Sequence, residues 1–199
     1  MKSFLHKGFV VLLAGMITAA TSCMYDGAMP HMAATRYGGT TMLRPETDTV
    51  SYWDGDGMTG SPSVRINLSE QRAYFYKGGK LAGVSAISSG REGLNTVTGH
   101  FHIIEKDKHH MSSLYGDYVD AHGNVIQKEI DSSKDPKPPG ARFDGARMPN
   151  FMRITGATGM HEGYLPGYAA SHGCIRMPGA MAARFYNSVS VGTPVTIEE

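Results

Sequence analysis

The densest group of reactive side chains in the 199-residue sequence lies at residues 171–176. This segment contains Cys174, one of two cysteines in the chain, next to Gly173 and His172, and His161 lies thirteen residues before Cys174. Catalysis through sulfur requires a thiolate, and a neighbouring imidazole lowers a thiol pKa from about 8.5 toward neutrality. The cluster therefore predicts a thiol enzyme, and spacing alone allows either histidine to serve as its base.

Two further residues of the segment fit acyl chemistry. Gly173 lets a substrate approach the backbone closely, and consecutive N–H groups at Gly173 and Cys174 can point at a developing oxyanion. In an extended segment Arg176 projects to the same side as Cys174 and offers a planar fork for a carboxylate. The alternative role for Arg176 is a structural ion pair.

The sequence around this cluster resembles a known signature. Residues 161–178 are similar to the motif of the L,D-transpeptidases with a YkuD-type catalytic domain, in which a histidine precedes a Ser-x-Gly-Cys-x-Arg block by about a dozen residues. The similarity extends over residues 63–197, with further matching segments at residues 96–101, 105–118, 135–146 and 148–155. Two positions depart from the family pattern. Val97 replaces a usual proline, and Asn150 replaces a common aromatic residue and is expected to alter the cleft.

The resemblance implies a fold and a set of site residues. The expected fold is mainly β, a YkuD-like β-sandwich or barrel-like catalytic domain with one or two short helices. The implied roles are Cys174 as nucleophile and His161 as general acid and base, with His172 shaping the pocket or only orienting its turn. The remaining residues of the implied site are Gly173 and Ser171 in the catalytic group and Arg176, Tyr164 and Tyr168 in substrate binding.

The resemblance also implies a reaction. Cys174 would attack the carbonyl of the diamino acid at position 3 of a peptidoglycan stem, release D-alanine and transfer the acyl group to an amine of a neighbouring stem. Such a 3→3 cross-link belongs to peptidoglycan synthesis and cell-wall biogenesis, hence to cell shape. Water as the acceptor would make the protein an L,D-carboxypeptidase, and the outcome depends on how well the cleft excludes water.

Two other classes of function remain open. A zinc hydrolase would use His161, His172 and Cys174 as three ligands with water in the fourth position, but it leaves Ser171, Gly173 and Arg176 without roles. The His100-x-His102 pair is more often exposed than a ligand set. The third class is an inactive peptidoglycan-binding module, disfavoured because both His161 and Cys174 are present. No cofactor or metal is expected.

Composition excludes some partners and favours a β architecture. The chain has 19 basic and 18 acidic side chains and a net charge of +1, so it lacks the charge excess of a nucleic-acid-binding protein. Glycine makes up 25 of the 199 residues, well above the average share of about 7%, which indicates a turn-rich protein. We expect a monomer.

The N-terminus predicts export. Lys2 and Lys7 precede an apolar run at residues 9–20, which is too short to span a bilayer and typical of a secretory signal. The small residues before Cys23 resemble a lipoprotein cleavage site, so Cys23 is the expected lipid attachment point, and a disulfide from Cys23 to Cys174 is the disfavoured alternative. The predicted organisation is a signal at 1–22, a flexible tether at 23–61 and the catalytic domain at 62–199, held in the periplasm or cell envelope.

Periodicity predicts the elements of the domain. Residues 63–68 alternate as a half-buried strand, and residues 73–77 and 80–88 flank Gly78-Gly79 as a hairpin. Further strands are expected at residues 98–105, 151–155, 159–161 and 195–197, with a helix at 179–189. Residues 107–140 read as a long polar loop, a flap or wall of the cleft with Ile126 among its few buried candidates. Within the tether, residues 50–53 could instead pack as an edge strand.

Overall fold

The computed structural model of the protein describes residues 34–37, 40–43 and 48–199. Its strands are β1 Ala34–Tyr37, β2 Thr40–Leu43, β3 Tyr52–Trp53, β4 Pro62–Asn67, β5 Arg72–Lys77, β6 Lys80–Ala86, β7 Gly99–His102, β8 Glu105–Asp107, β9 Met111–Val119, β10 Val125–Asp131, β11 Arg142–Arg147, β12 Phe151–Thr155, β13 Thr158–Glu162, β14 Ile175–Met177 and β15 Pro194–Glu198. The described part has one helix, α1, at Gly179–Ser188. The predicted mainly β fold is thus confirmed.

The N-terminal predictions lie mostly outside the described residues. The signal segment and Cys23 are among the residues that the structure does not describe. β1 and β2 form an antiparallel pair of their own. No helix in the described ranges is long and apolar enough to cross a membrane.

The largest sheet has six strands in the order β3-β6-β5-β4-β15-β7. Its centre is the predicted hairpin of β5 and β6, whose turn residues Gly78 and Gly79 have φ values of 54° and 77°, which glycine adopts without strain. β15 joins this sheet parallel to β4 and antiparallel to β7. The last strand of the chain therefore lies between two early ones.

A second sheet has four strands in the order β14-β13-β12-β8. The strand predicted at residues 98–105 divides between the two sheets, with β7 in the first and β8 in the second. The Ile103 N–H bonds to Thr193 O, and the next N–H, of Ile104, bonds to Arg153 O. The chain thus passes from one sheet to the other at the fully buried Ile103, a change of partner that strand periodicity does not encode.

One hydrophobic core joins both sheets and the helix. Phe75 of β5 meets Phe185 of α1 edge to face at 4.9 Å, and Met160 of β13 and Ile175 of β14 are fully buried in the same cluster. Because β13 and β14 each turn one row of side chains into this core, their other row faces outward. That outward row carries the reactive residues.

Residues 107–140 are not the structureless loop that the sequence suggested. They contribute β9 and β10 to a three-stranded antiparallel sheet in the order β10-β9-β11. This sheet has a small core of its own, in which Tyr118, Ile130 and Ala141 are buried. Ile126, expected to be buried, is 50% exposed. Register shifts on β10 and β11 break the alternation of buried and exposed residues, which explains why the period-2 pattern was missed.

Part of the segment predicted as a tether, at residues 52–53, pairs with the largest sheet. Tyr52 and Trp53 form β3, which pairs antiparallel with β6 at the edge of the six-stranded sheet. The Trp53 ring packs edge to face on Phe75 at 5.1 Å and lies 6.1 Å from Phe185. The edge-strand alternative for residues 50–53 therefore describes this segment.

We expect Trp53→Ala to lower the free energy of unfolding by about 2–3 kcal/mol, somewhat less than truncation of a fully buried tryptophan costs. The physical reason is the cavity left beside Phe75 and Phe185. Urea unfolding measures the change. Tyr52→Ala is the control: Tyr52 lies on the same strand but is 43% exposed, and its truncation should cost under about 1 kcal/mol. A loss at Trp53 no larger than the loss at Tyr52 would contradict the contribution of the Trp53 ring to the core.

Candidate active site

The parallel pairing of β13 with β14 brings the sequence-predicted residues together. Its register places His161 opposite Arg176 and Met160 opposite Ile175, so Cys174, one residue before Ile175, lies beside Gly159. Met160 and Ile175 point into the core. Since side chains alternate between the two faces of a sheet, Cys174, His161 and Arg176 share the opposite face.

His161 is held in one tautomer and kept neutral. Its side chain is 6% exposed, and Nδ1 lies 2.7 Å from the Glu162 carbonyl oxygen. A carbonyl only accepts, so Nδ1 carries the proton and Nε2 carries the lone pair. Burial lowers the pKa of His161 to about 4, and the charges of Arg176 and His110 act in the same direction. The imidazole is therefore a neutral base at physiological pH.

Cys174 is a free, half-buried thiol. Burial raises its pKa, and this outweighs the opposing influence of the Gly159 N–H and of the charges of Arg153 and Arg176. Its Sγ lies 3.4 Å from the Ala157 carbonyl oxygen, to which it donates. Burial thus acts against the thiolate expected at neutral pH, and the lowering of the Cys174 pKa by a nearby histidine stays a prediction.

The turn before Cys174 is closed by Ser171. The Ser171 hydroxyl donates to the Cys174 carbonyl and accepts the Gly173 N–H at 3.1 Å. The Gly173 N–H is therefore engaged and does not point into the cleft, contrary to its expected place in an oxyanion hole. Ser171 itself is 1% exposed, so it acts by positioning the turn. The Cys174 N–H is the remaining donor of the expected pair.

A segment that sequence reasoning missed supports this turn from the side. Ser88 pairs with Arg176 as an isolated antiparallel bridge, and the Ser89 carbonyl accepts the Ala170 and Ser171 N–H groups. Thr96 is buried; its hydroxyl donates to the Gly173 carbonyl at 3.0 Å and accepts the Gly90 N–H at 2.9 Å. Only the family resemblance of residues 96–101 pointed to this region, and Val97 at the departing position is 46% exposed.

His172 is committed to other contacts. Arg91 Nη2 lies 2.9 Å from His172 Nε2, and because guanidinium only donates, the lone pair of that nitrogen is occupied. The ring stacks on Tyr115 of β9 at 4.2 Å and 27°. Burial and then the charges of Arg91 and Arg176 lower the pKa of His172. His172 thus connects the turn to the three-stranded sheet.

Arg176 has no ion-pair partner within residues 48–199. Its aliphatic stem packs against Gly163, where an added Cβ would lie 2.9 Å from Arg176 Cγ. Burial lowers the pKa of the guanidinium, with the Glu129 charge opposing that shift, so it is a partly desolvated cation that makes no salt bridge in this range. The structural ion pair considered as its alternative role is thus without an acceptor in this part of the chain.

A cleft of about 1660 Å³ opens over these residues. Cys174, His161, His172 and Arg176 line its floor, and the three-stranded sheet forms one wall through residues 112–117, 128–129 and 144–147. Tyr164 and Tyr168 also line it and are 36% and 64% exposed. The expected role of residues 107–140 as a cleft wall fits this geometry, although the wall is a sheet.

Asn150 does not alter this cleft as expected. It lies beside a separate small cavity with His109, His110 and Glu162, and its φ is 56°. Asparagine tolerates this left-handed conformation better than most residues, which gives a backbone reason for its presence between β11 and β12.

The residues of the zinc alternative do not form a ligand set. Within the described ranges, no three His, Cys, Asp or Glu side chains converge as metal ligands. His172 Nε2 already accepts from Arg91, and His100 and His102 are exposed on β7.

The chain belongs to the family of L,D-transpeptidase catalytic domains of the YkuD type, whose model matches residues 61–197. No curated protein sequence matches the chain significantly.

Solved structures share the fold at low identity. An L,D-transpeptidase from Mycobacterium smegmatis is 19% identical with a TM-score of 0.52, covering 70% of this chain and 59% of its own. The L,D-transpeptidase from Enterococcus faecium is 22% identical with a TM-score of 0.51, covering 70% and 50%. LdtMt1, solved in complex with imipenem, is 17% identical with a TM-score of 0.52, covering 69% and 59%. The chain thus spans about half to three-fifths of the length of these proteins.

We expect Thr96→Val to lower the free energy of unfolding by about 1–3 kcal/mol, because it leaves the Gly173 carbonyl and the Gly90 N–H without their partner. The same change should slow alkylation of Cys174 by iodoacetamide or alter its pH dependence. Denaturant unfolding and mass spectrometry measure the two effects. Thr98→Val, at an exposed position, is the control. Indistinguishable variants would show that the turn does not need this support.

Proposed function

We propose that the protein is a cysteine-dependent L,D-transpeptidase acting on peptidoglycan stem peptides. The observation that carries the proposal is the parallel register of β13 and β14, which sets Cys174 and His161 on one face of the cleft together with the unpaired Arg176. Family membership supplies the reaction class. Because the matched structures are longer and less than 25% identical, substrate and residue roles are proposed from this site.

The first half-reaction begins from the neutral pair. As Cys174 Sγ bonds to the carbonyl carbon of the position-3 diamino acid, its proton passes to His161 Nε2. The bond to the terminal D-alanine then breaks, and the departing amine takes the proton from His161. A thioester at Cys174 remains. Buried neutral partners suit this route, because proton transfer accompanies attack and no buried ion pair has to persist.

The second half-reaction reverses these roles. A neutral amine of a second stem attacks the thioester, His161 takes its proton, and the carbon–sulfur bond breaks. The Cys174 sulfur recovers the proton, and a 3→3 cross-link is formed. Attack by water gives an L,D-carboxypeptidase product by the same steps, and this is the second outcome that the assay below separates.

The surrounding residues hold the substrate and the oxyanion. The Cys174 N–H is the proposed oxyanion donor, worth roughly 10²–10³ in rate in comparable sites, while Gly173 and Ser171 hold the turn. Arg176 binds a substrate carboxylate, and Tyr164 and Tyr168 contact the stem peptide. His172 positions the turn through Arg91 and Tyr115.

The sequence alone supports the remaining proposals. Residues 1–22 act as an export signal and Cys23 carries lipid. The segment between Cys23 and β3 acts as a tether in the cell envelope. Release of the Cys23→Ala protein from membranes would support the anchor. The domain is proposed to act as a monomer without cofactor.

Incubation of the purified protein with a disaccharide tetrapeptide tests the function, with mass spectrometry of the products. We expect a cross-linked dimer, and Cys174→Ser should make none. His161→Gln should slow the reaction by about 10²–10⁴, as for a missing general acid or base, and His172→Ala by less. Tripeptide alone would indicate the carboxypeptidase. Peptidoglycan binding without any product would indicate an inactive binding module. Activity that a chelator removes and zinc restores would indicate the zinc hydrolase.

The pH dependence of thioester formation should report the buried histidine. Imipenem is a suitable acyl donor because LdtMt1 has been solved in complex with it. With a His161 pKa of about 4, the base stays neutral and the rate at pH 5 remains near that at pH 7. A base with the ordinary histidine pKa of about 6.5 would retain only about 3% of its neutral form at pH 5. Adduct rates from pH 4 to 8 decide this, with Cys174→Ser as the blank, and an acid limb near 6.5 would contradict the buried neutral base.

A further inference from the structure

Glu129 of β10 is held in an uncommon backbone conformation at the wall of the cleft. Its φ is 54°, and it lies in the bulge between Gln127 and Ile130, where β10 loses register with β9. The Asp117 carboxylate accepts the Glu129 N–H at 2.9 Å. Bulges beside active sites commonly redirect a side chain, and here the bulge is fixed by a side chain of the adjacent strand.

The Glu129 carboxylate lines the same cleft as His172 and Arg176, and its charge acts on both. Glu129 lines the cleft, and within residues 48–199 it makes no salt bridge. Burial lowers the pKa of both His172 and Arg176, and the Glu129 charge opposes that shift in both. The cleft therefore presents an unpaired anion on its wall and an unpaired cation, Arg176, on its floor.

We propose that Glu129 binds the terminal ammonium of the diamino-acid side chain of a stem peptide. The inference rests on the proposed function, which requires a diamino acid in the donor and an amine in the acceptor. An exposed carboxylate in the same cleft as Cys174 complements that ammonium, whereas Arg176 complements a carboxylate. Two sources share this chemistry, the donor stem and the acceptor stem. An acceptor ammonium held by Glu129 first loses one proton to solvent, and the resulting neutral amine then attacks the thioester and gives its second proton to His161.

Binding to a protein that cannot react isolates the contact from catalysis. In the Cys174→Ser protein, calorimetry compares a tetrapeptide containing lysine at position 3 with one containing norleucine, which lacks only the amine. We expect the lysine peptide to bind roughly 3- to 10-fold more tightly, the size of a partly solvated charge pair. Adding Glu129→Gln should abolish the preference and leave norleucine binding unchanged. A preference that survives Glu129→Gln overturns the inference.

Two control variants separate the contact from folding and from general charge effects. Glu129→Gly removes the carboxylate but keeps a residue that adopts positive φ freely, so it should behave as Glu129→Gln does. Glu92→Gln removes an exposed carboxylate that does not line the cleft and should change nothing. If Glu92→Gln reduces the preference equally, the effect is long-range charge and the proposed contact is wrong.

Kinetics with the reactive protein then distinguish the two sources. If the donor ammonium binds Glu129, Glu129→Gln slows thioester formation from the lysine tetrapeptide but not from the norleucine one. If the acceptor ammonium binds there, thioester formation is unchanged, and the variant raises the KM for the acceptor and shifts products toward hydrolysis. A protein that forms no thioester but shows the Glu129-dependent preference would refute the transpeptidase and keep the binding inference.

Discussion

The parallel pairing of β13 with β14 is the constraint on which the site depends. Parallel neighbours require a long connection, and here residues 163–174 make it without a helix and return directly into Cys174. A segment of that kind has few backbone partners of its own. It is held by Ser88 and Ser89, by the hydroxyl of Thr96 and by the buried Ser171, so polar contacts from a segment distant in sequence position Cys174.

Burial determines how the two reacting groups carry their protons. Burial of His161 lowers its pKa, and burial of Cys174 raises its pKa. Each shift favours the uncharged form of its group. In the proposed reaction, charge develops as the acyl group is attacked, in a cleft that Arg176 also lines.

The three-stranded sheet of β9, β10 and β11 forms one wall of the cleft. Tyr115 of this sheet stacks on the His172 ring, and Arg91, which lies between β6 and β7, donates a hydrogen bond to the same ring. The wall therefore contacts the catalytic turn through one aromatic pair. Glu129, at the bulge of β10, adds an acidic group to the lining of the cleft that Arg176 shares.

The sequence by itself determined the elements whose signals are local. The alternation at residues 63–68, the Gly78-Gly79 turn and the apolar stripe of Met181 and Phe185 each predicted the element that the structure shows. The spacing of His161, Ser171 and Cys174 identified the family and the reactive cluster. These signals survive without tertiary knowledge because steric preference and burial pattern act within a few residues.

Tertiary structure alone decided the rest, since it depends on partners far apart in the chain. Arg91 occupies Nε2 of His172, which supports the proposal of His161 as the base, and Ser171 accepts the Gly173 N–H that was expected in the oxyanion hole. The sheet within residues 107–140 was hidden because bulges disrupt period 2, and Trp53 joined the core through β6. Protonation states likewise came from burial, which a linear sequence does not display.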